Sequence, residues 1–246
     1  MATVGSNIGA TIQAPVAGTV TFDQVYTYYF SQLAFGGGFQ TTLTYINYGT
    51  TPVTCTTDFY SDNGGPLQIP FSQGLITSRV DTLQPGASIH DQTAANINAV
   101  VSQGWAQVSC SGRVQASLLY RFSPGGTAAG EAGVNAETST TNEFATFAQT
   151  ATGIAYANPS TTQSATMTVT VYNTAGVKLA SKIISLGPLQ HGSANLGPVL
   201  GLGSFTGFVK IVSNIPIISL SLNAEVFPVF SSLPPGDLPS STPLVP

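Results

Sequence analysis

Charged side chains are scarce in this sequence of 246 residues. Asp, Glu, Lys and Arg together make up 7% of it, whereas an ordinary globular protein has about 25%. Six residues are Lys or Arg, none of them precedes Arg79, and the net charge is −4. The sequence therefore excludes a strongly basic surface for nucleic acid or for anionic membranes. Its polar surface must be built from Thr, Ser, Gln, Asn and Gly.

Long apolar runs and catalytic motifs are missing as well. No stretch of 18 apolar residues occurs, so no helix is predicted to span a membrane. There is no G-x-S-x-G nucleophile turn and no Cys/His cluster with the spacing of a zinc site. We interpret the two histidines, His90 and His191, as solvated loop residues. We therefore predict that the protein is not an enzyme and has neither a cofactor nor a metal ion.

The side chains of Asp58, Asp62 and Asn63 could approach one cation. They lack the alternating acidic positions of a calcium loop. The run Asp62-Asn63-Gly64 is also typical of a hairpin turn. We therefore predict a turn at this point.

The sequence has two cysteines, Cys55 and Cys110, each on the apolar face of a strand-like run. They could be two buried free thiols, since cysteine packs as a small hydrophobic residue. They could instead form a disulfide, which would indicate an oxidising compartment. The sequence favours the disulfide, because both side chains face one predicted core and the matching positions later in the chain hold no cysteine.

What the sequence does contain is an internal repeat. Strand residues and turn glycines recur in the same order in the two halves of the chain, which indicates duplicated supersecondary units. Tyr45-Ile46-Asn47 matches Tyr156-Ala157-Asn158. Later matches align Tyr60, Gly64, Leu67, Leu83, Trp105 and Val108 with Tyr172, Gly176, Leu179, Leu186, Phe208 and Ile211, respectively.

Short alternating runs separated by Gly, Pro and Asn turns predict an all-β protein. We predict two tandem antiparallel β-sandwich (Ig-like) units preceded by an N-terminal strand extension. The predicted boundaries are 1–30 for the extension, 31–122 for the first unit, 123–142 for a linker, 143–228 for the second unit and 229–246 for an extended Pro-rich tail.

The N-terminal extension alternates apolar and polar residues from Ile8 to Phe22. Period two over this length predicts a long half-buried strand. Such a strand could add to a sheet of a neighbouring copy, or it could fold back onto its own first unit. The residues that would enter the core of the accepting sheet are Ile8, Ile12, Val16, Val20 and Phe22.

Three tyrosines, Tyr26, Tyr28 and Tyr48, are candidates for a platform that binds carbohydrate. Tyrosine is also an ordinary strand residue, so this pattern by itself does not distinguish a ligand site from packing.

Several motifs resemble a known family. They are the block Gly36–Asn47, Gly104-Trp105-Ala106, Glu131–Val134 and Gly153–Pro159. The chain from residue 31 onward resembles tandem β-sandwich repeat segments of large secreted bacterial proteins of uncharacterised function. The resemblance implies the fold and export from the cell, and it carries no active site.

We therefore predict a non-enzymatic extracellular structural protein, secreted or at the cell surface. It would be a subunit of a filament or surface assembly formed by strand addition between copies of itself. The alternative is a cell-surface adhesin or carbohydrate-binding module, with a surface carbohydrate as its partner.

Overall fold

The computed structural model describes residues 24–233 and 236–237. The predicted donor-strand residues Ile8, Ile12, Val16, Val20 and Phe22 lie outside the described residues. The described part of the chain consists mainly of antiparallel β-sheets, which confirms the all-β fold class. Among the described residues, no helix has both the length and the apolar character needed to cross a bilayer.

Residues 26–135, here called the first half, form two four-stranded sheets and a small hairpin. The strand orders are β1-β8-β3-β6 and β10-β9-β2-β7, and the hairpin is β4-β5. The strands are β1 (Tyr26–Phe35), β2 (Phe39–Ile46), β3 (Val53–Ser61), β4 (Ile69–Phe71), β5 (Gly74–Ile76), β6 (Ser78–Leu83), β7 (Ser88–Gln92), β8 (Ser102–Cys110), β9 (Gln115–Phe122) and β10 (Gly130–Asn135).

Residues 141–237, here called the second half, are built around one strand of 21 residues, β16. Its first part pairs with β11 and β13, and its last part pairs with β12 and β17. The elements are β11 (Thr141–Gln149), β12 (Thr152–Ala157), β13 (Ala165–Asn173), β14 (Lys178–Leu186), β15 (His191–Asn195), α1 (Leu196–Leu200), β16 (Thr206–Val226), β17 (Val229–Leu233) and β18 (Gly236–Asp237).

The same strand order occurs in both halves. The order β1-β8-β3-β6 corresponds to β11-β16-β13-β14, and β10-β9-β2-β7 corresponds to β17-β16-β12-β15. Residues that match in the sequence occupy matching places. The rings of Tyr60 and Trp105 stack across β3 and β8 at 4.6 Å, and those of Tyr172 and Phe208 stack across β13 and β16 at 4.8 Å.

The disulfide is confirmed. Cys55 on β3 lies directly opposite Cys110 on β8, and the two sulfur atoms are 2.04 Å apart. Both side chains are buried in the core of the first half, as their phase in the strands predicts. In the second half, Met167 and Ser213 are directly opposite each other at the corresponding place.

The structure differs from the predicted boundaries at three points. β1 begins at Tyr26, because it pairs with β8 from there onward. The predicted linker, 123–142, contains β10, which pairs with β9 and buries Ala132. The predicted tail contains β17, which pairs with β16 and buries Phe230. The Gly, Ser and Pro content of these segments predicts loops. Strands elsewhere in the chain pair with them and hold them in sheets instead.

Candidate functional site

The two halves share a packed junction. The core of the first half extends to Ala155, Leu220 and Phe230 of the second half. On β12, the neighbouring residues Ile154 and Tyr156 point the other way, into the second half's own core. β12 is therefore covered on both faces, which explains why its sequence is apolar at successive positions instead of alternating.

Trp105 anchors one side of this junction. The side chain is fully buried, packs against Ala157 and Ile218 of the second half, and belongs to a small cluster separate from the two main cores. Its Nε1–H donates a hydrogen bond of 2.7 Å to the carbonyl oxygen of Leu189. Leu189 has a φ of 59°, a left-handed conformation that is costly for a non-glycine residue. The hydrogen bond from Trp105 is therefore made to a residue whose backbone is strained.

A chain of polar side chains crosses the junction beside Trp105. Asp62 and Gln103 belong to the first half, and His191 and Ser193 belong to β15. His191 Nδ1 and Asp62 Oδ1 are 2.7 Å apart, and Gln103 Nε2 donates to Asp62 Oδ2 at 3.0 Å. Ser193 Oγ in turn donates to Gln103 Oε1 at 2.8 Å. The backbone N–H of His191 donates to the carbonyl oxygen of Asp62 at 3.2 Å.

This network lowers the pKa of Asp62. Burial acts to raise the pKa of the carboxyl, but the hydrogen bonds from His191 and Gln103 outweigh it, so the net shift is downward. The carboxyl therefore remains ionised in the folded protein to a lower pH than in the unfolded chain.

The interpretation of His191 as a solvated loop residue is wrong. Its side chain has no exposed surface, and its Nε2 is buried with no hydrogen-bond partner. Asp62, its partner, is 129 residues away in the chain, so no local pattern could have revealed the contact. His90 does lie at the surface, although on β7 and not in a loop, and its Nδ1 is 2.9 Å from Thr44 Oγ1.

These polar groups connect the two halves through hydrogen bonds. Ser193 directs its hydroxyl hydrogen to Gln103 and not to His191. The Nε2 atom of His191, which would have to act as a general base, is enclosed. Asp62 and Asn63 lie in the turn after β3, where the Asn63 side chain accepts a hydrogen bond from the Gly65 N–H at 2.9 Å. Among the described residues, no three His, Cys, Asp or Glu side chains are placed to hold a metal ion.

The three tyrosines do not form one platform. Tyr28 is only 6% exposed, and its hydroxyl accepts a hydrogen bond from the Val114 N–H, so it belongs to the core of the first half. Tyr26 is half-buried under the Arg113 guanidinium group, which lies 5.5 Å from the ring centroid. Tyr48 is 66% exposed and follows β2, which lies in the other sheet.

A cavity of about 530 Å³ lies between the two halves. Its walls come from β1, β2, β8 and β9 on one side and from β12, β15, β16 and β17 on the other. One wall residue is Gln32, which lies in a bulge of β1 where the pairing register with β8 shifts between Phe30 and Leu33. The bulge breaks the strict alternation of β1, so residue periodicity does not predict that Gln32 lines this cavity.

The cationic side chains are distributed unevenly over the molecule. Arg79 is largely buried and pairs with Asp81 and Asp91 at 2.7 Å each. Arg121 pairs with Glu131, and Lys210 with Glu143. The two remaining lysines, Lys178 and Lys182, are both exposed on β14 and form no ion pair within the part of the chain described.

Comparison of the chain with models of protein families, with curated protein sequences and with solved structures finds no match.

Proposed function

We propose that this chain is a non-enzymatic structural subunit of an extracellular filament or surface assembly. In this proposal, residues 8–22 of one copy add as a strand to β14 of the next. The single observation that carries the proposal is the position of β14. It is the outermost strand of its sheet, it is nine residues long, and within the described residues it pairs with β13 alone.

The edge of β14 differs from the edge at the corresponding strand of the first half. There, Arg79 on β6 points inward and pairs with Asp91 on β7, and inward-pointing charges are a known means of blocking strand addition. On β14 the matching residue is Lys182, which is exposed, and Ile183 beside it is 69% exposed. The edge of the second half therefore lacks this buried ion pair, whereas both edges display an apolar side chain, Ile183 on β14 and Val80, 66% exposed, on β6.

The two lysines on β14 favour one kind of partner over another. A second β14 would place Lys178 and Lys182 against like charges, which disfavours edge-to-edge pairing between identical strands. Residues 8–22 contain no Lys or Arg, so the same lysines do not oppose them. When a different segment adds to β14, the two surfaces in contact are not the same. Each copy then keeps one surface free for a further copy, which leads to open-ended assemblies.

Location outside the cell is supported by the disulfide between Cys55 and Cys110, because disulfides persist in oxidising compartments. The recurrence of one strand order in both halves supports two tandem Ig-like β-sandwich units. It also agrees with the resemblance to repeat segments of secreted bacterial proteins. The alternative, an adhesin with a tyrosine platform, has less support because Tyr28 is interior.

The test is to delete residues 1–22 and to compare both proteins by negative-stain microscopy and by sedimentation. We expect polymers from the full chain and monomers from the shortened one. A labelled peptide of residues 6–23 should then bind the shortened chain saturably and slow amide hydrogen exchange in β14, but not in β6.

The matched control is the same peptide with Ile12→Asp and Val16→Asp, which keeps the length and removes the apolar face. Unchanged polymers after the deletion would refute the proposal. Equal binding of the two peptides, or protection of β6 in place of β14, would refute the mode of assembly.

A further inference from the structure

The cavity between the two halves has the size of a binding site. Its volume of about 530 Å³ falls within the range of roughly 300–1,000 Å³ that is usual for small-molecule pockets. Protein interiors otherwise contain few voids larger than a water molecule. Two of its wall residues, Val101 and Phe227, are also exposed to solvent, so the cavity opens at the surface.

The walls of the cavity are mainly apolar and uncharged. Aromatic and aliphatic side chains, among them Phe39, Leu220, Leu222 and Phe230, make up most of the lining. None of the described residues that line it is Asp, Glu, Lys, Arg or His. An anionic head group would be buried there without a counter-charge, which is energetically costly. The lining therefore favours a neutral ligand with an apolar body.

One polar group in the wall is incompletely satisfied. Gln32 is only 9% exposed, and its Oε1 is buried with no hydrogen-bond partner. A ligand in the cavity cannot reach this enclosed oxygen, so the Nε2–H of the same amide is the group that can donate a hydrogen bond to one. The backbone of the same residue is fixed, since its carbonyl oxygen accepts a hydrogen bond of 2.6 Å from the Tyr120 hydroxyl. The backbone that carries this side chain is thus held in the wall by Tyr120, within the bulge of β1.

We propose that this cavity binds a neutral amphipathic molecule, an aliphatic chain with a hydroxyl head group, and that Gln32 pairs with the hydroxyl. Because Gln32 Oε1 is enclosed, the amide pairs through its Nε2–H, which donates to the hydroxyl oxygen of the ligand. This inference is independent of the proposed assembly, because the cavity lies at the junction inside one chain and not at the edge of β14.

The test uses the full chain, kept below the concentration at which it polymerises, with octan-1-ol and octanoate as probes at pH 7. The two probes have the same chain length and differ in the charge of the head group. Binding is followed by saturation-transfer NMR. We expect saturable binding of octan-1-ol that is at least about tenfold tighter than that of octanoate, since a buried unpaired charge costs well over the 1.4 kcal/mol that corresponds to tenfold.

Two variants locate the site. Gln32→Leu should weaken binding of octan-1-ol by about five- to tenfold, the usual loss for one buried hydrogen bond. Ala224→Trp places a large ring at the cavity wall and should abolish binding. Ala175→Trp, at the exposed turn between β13 and β14, is the matched control and should bind as the unaltered chain does. Far-UV circular dichroism checks that each variant is folded.

Absence of saturable octan-1-ol binding to the unaltered chain would overturn the proposal. Equal affinity for octan-1-ol and octanoate, or normal binding by Ala224→Trp, would also overturn it. Normal binding by Gln32→Leu would overturn the assignment of Gln32. All these outcomes leave the strand-addition proposal untouched, because none of them measures polymers.

Discussion

Two buried asparagines hold equivalent turns in the two halves. The amide nitrogen of Asn47 donates to the carbonyl oxygens of Thr51 and Leu83 at 2.8 and 3.1 Å, and its Oδ1 accepts from the Gly49 N–H at 2.9 Å. Asn158 repeats this pattern with Gln163, Gly187 and Ser160. The motif Tyr-x-Asn recurs in the sequence because one side chain satisfies two backbone groups of its own turn and one backbone carbonyl of a distant segment.

We predict that Asn47→Ala and Asn158→Ala each lower the free energy of unfolding by about 2–4 kcal/mol, because buried backbone groups lose their partners. Urea denaturation measures the change. Asn63→Ala is the control, since Asn63 lies in an exposed turn, and it should cost about 1 kcal/mol or less. Similar losses in all three variants would contradict the explanation.

Asp62 makes the stability of the fold depend on pH. Its pKa is lowered in the folded protein, so it stabilises the fold at pH values above its unfolded pKa of about 3.9. This stabilisation is lost as the pH falls through the folded pKa. We therefore expect that Asp62→Asn loses less stability between pH 6 and pH 3 than the unaltered chain does, as measured by urea denaturation at each pH. Parallel pH profiles of the two proteins would contradict this.

At the scale of strands, close approach of neighbouring backbones fixes two glycines. A Cβ atom at Gly104 of β8 would lie 2.1 Å from the carbonyl oxygen of Tyr60 on β3. A Cβ atom at Gly207 of β16 would lie 1.9 Å from the carbonyl oxygen of Tyr172 on β13. Both glycines directly precede the aromatic residue of a stacked pair. The backbones of β8 and β3, and those of β16 and β13, therefore approach each other closely at the same point of each half.

We predict that Gly104→Ala and Gly207→Ala each destabilise the protein by about 3 kcal/mol, since the backbone of the neighbouring strand has to shift. The matched control is Gly133→Ala on β10, where a Cβ atom would meet nothing within 4 Å and where the change should stay within about 0.5 kcal/mol. Thermal and urea denaturation provide the measurement. Equal effects at Gly133 and Gly104 would show that steric contact is not the cause.

At the scale of the whole molecule, the junction makes the two halves one packed unit while each retains its own core. Trp105, the single tryptophan of the chain, is fully buried in the small cluster between them. Ile218 belongs to this cluster, whereas the main cores are formed by other residues. The emission of Trp105 therefore reports on the junction separately from the sheets.

We predict that Ile218→Asp shifts the emission of Trp105 to the red, because an unpaired charge at this buried position opens the junction to water. Far-UV circular dichroism should retain its β-sheet signal, since the main cores do not include Ile218. Val212→Asp, at an exposed position of the same strand, should leave the emission unchanged. A junction that stays closed in Ile218→Asp, or a complete loss of β-sheet signal, would contradict this account.

The alternating pattern was sufficient to predict β-structure and the inward phase of Cys55 and Cys110, and the repeat Tyr45–Asn47 and Tyr156–Asn158 indicated the duplication. Side-chain alternation and turn residues are local properties, so they can be read along the chain. The prediction of a linker at 130–135 and of an extended tail at 229–233 was wrong. Pairing with β9 and β16 decides the conformation of these segments, and their own composition does not.

The amino-acid sequence by itself thus determined the all-β class and the sparse charge of the surface, and it favoured the disulfide over two free thiols, which the structure then showed. The tertiary structure decided that Asp62 meets His191, that Gln32 lines a cavity and that Tyr28 is interior. The physical reason is that these contacts join residues far apart in the chain. Periodicity reveals that a side chain is covered, but only the packing of one half on the other decides what covers it.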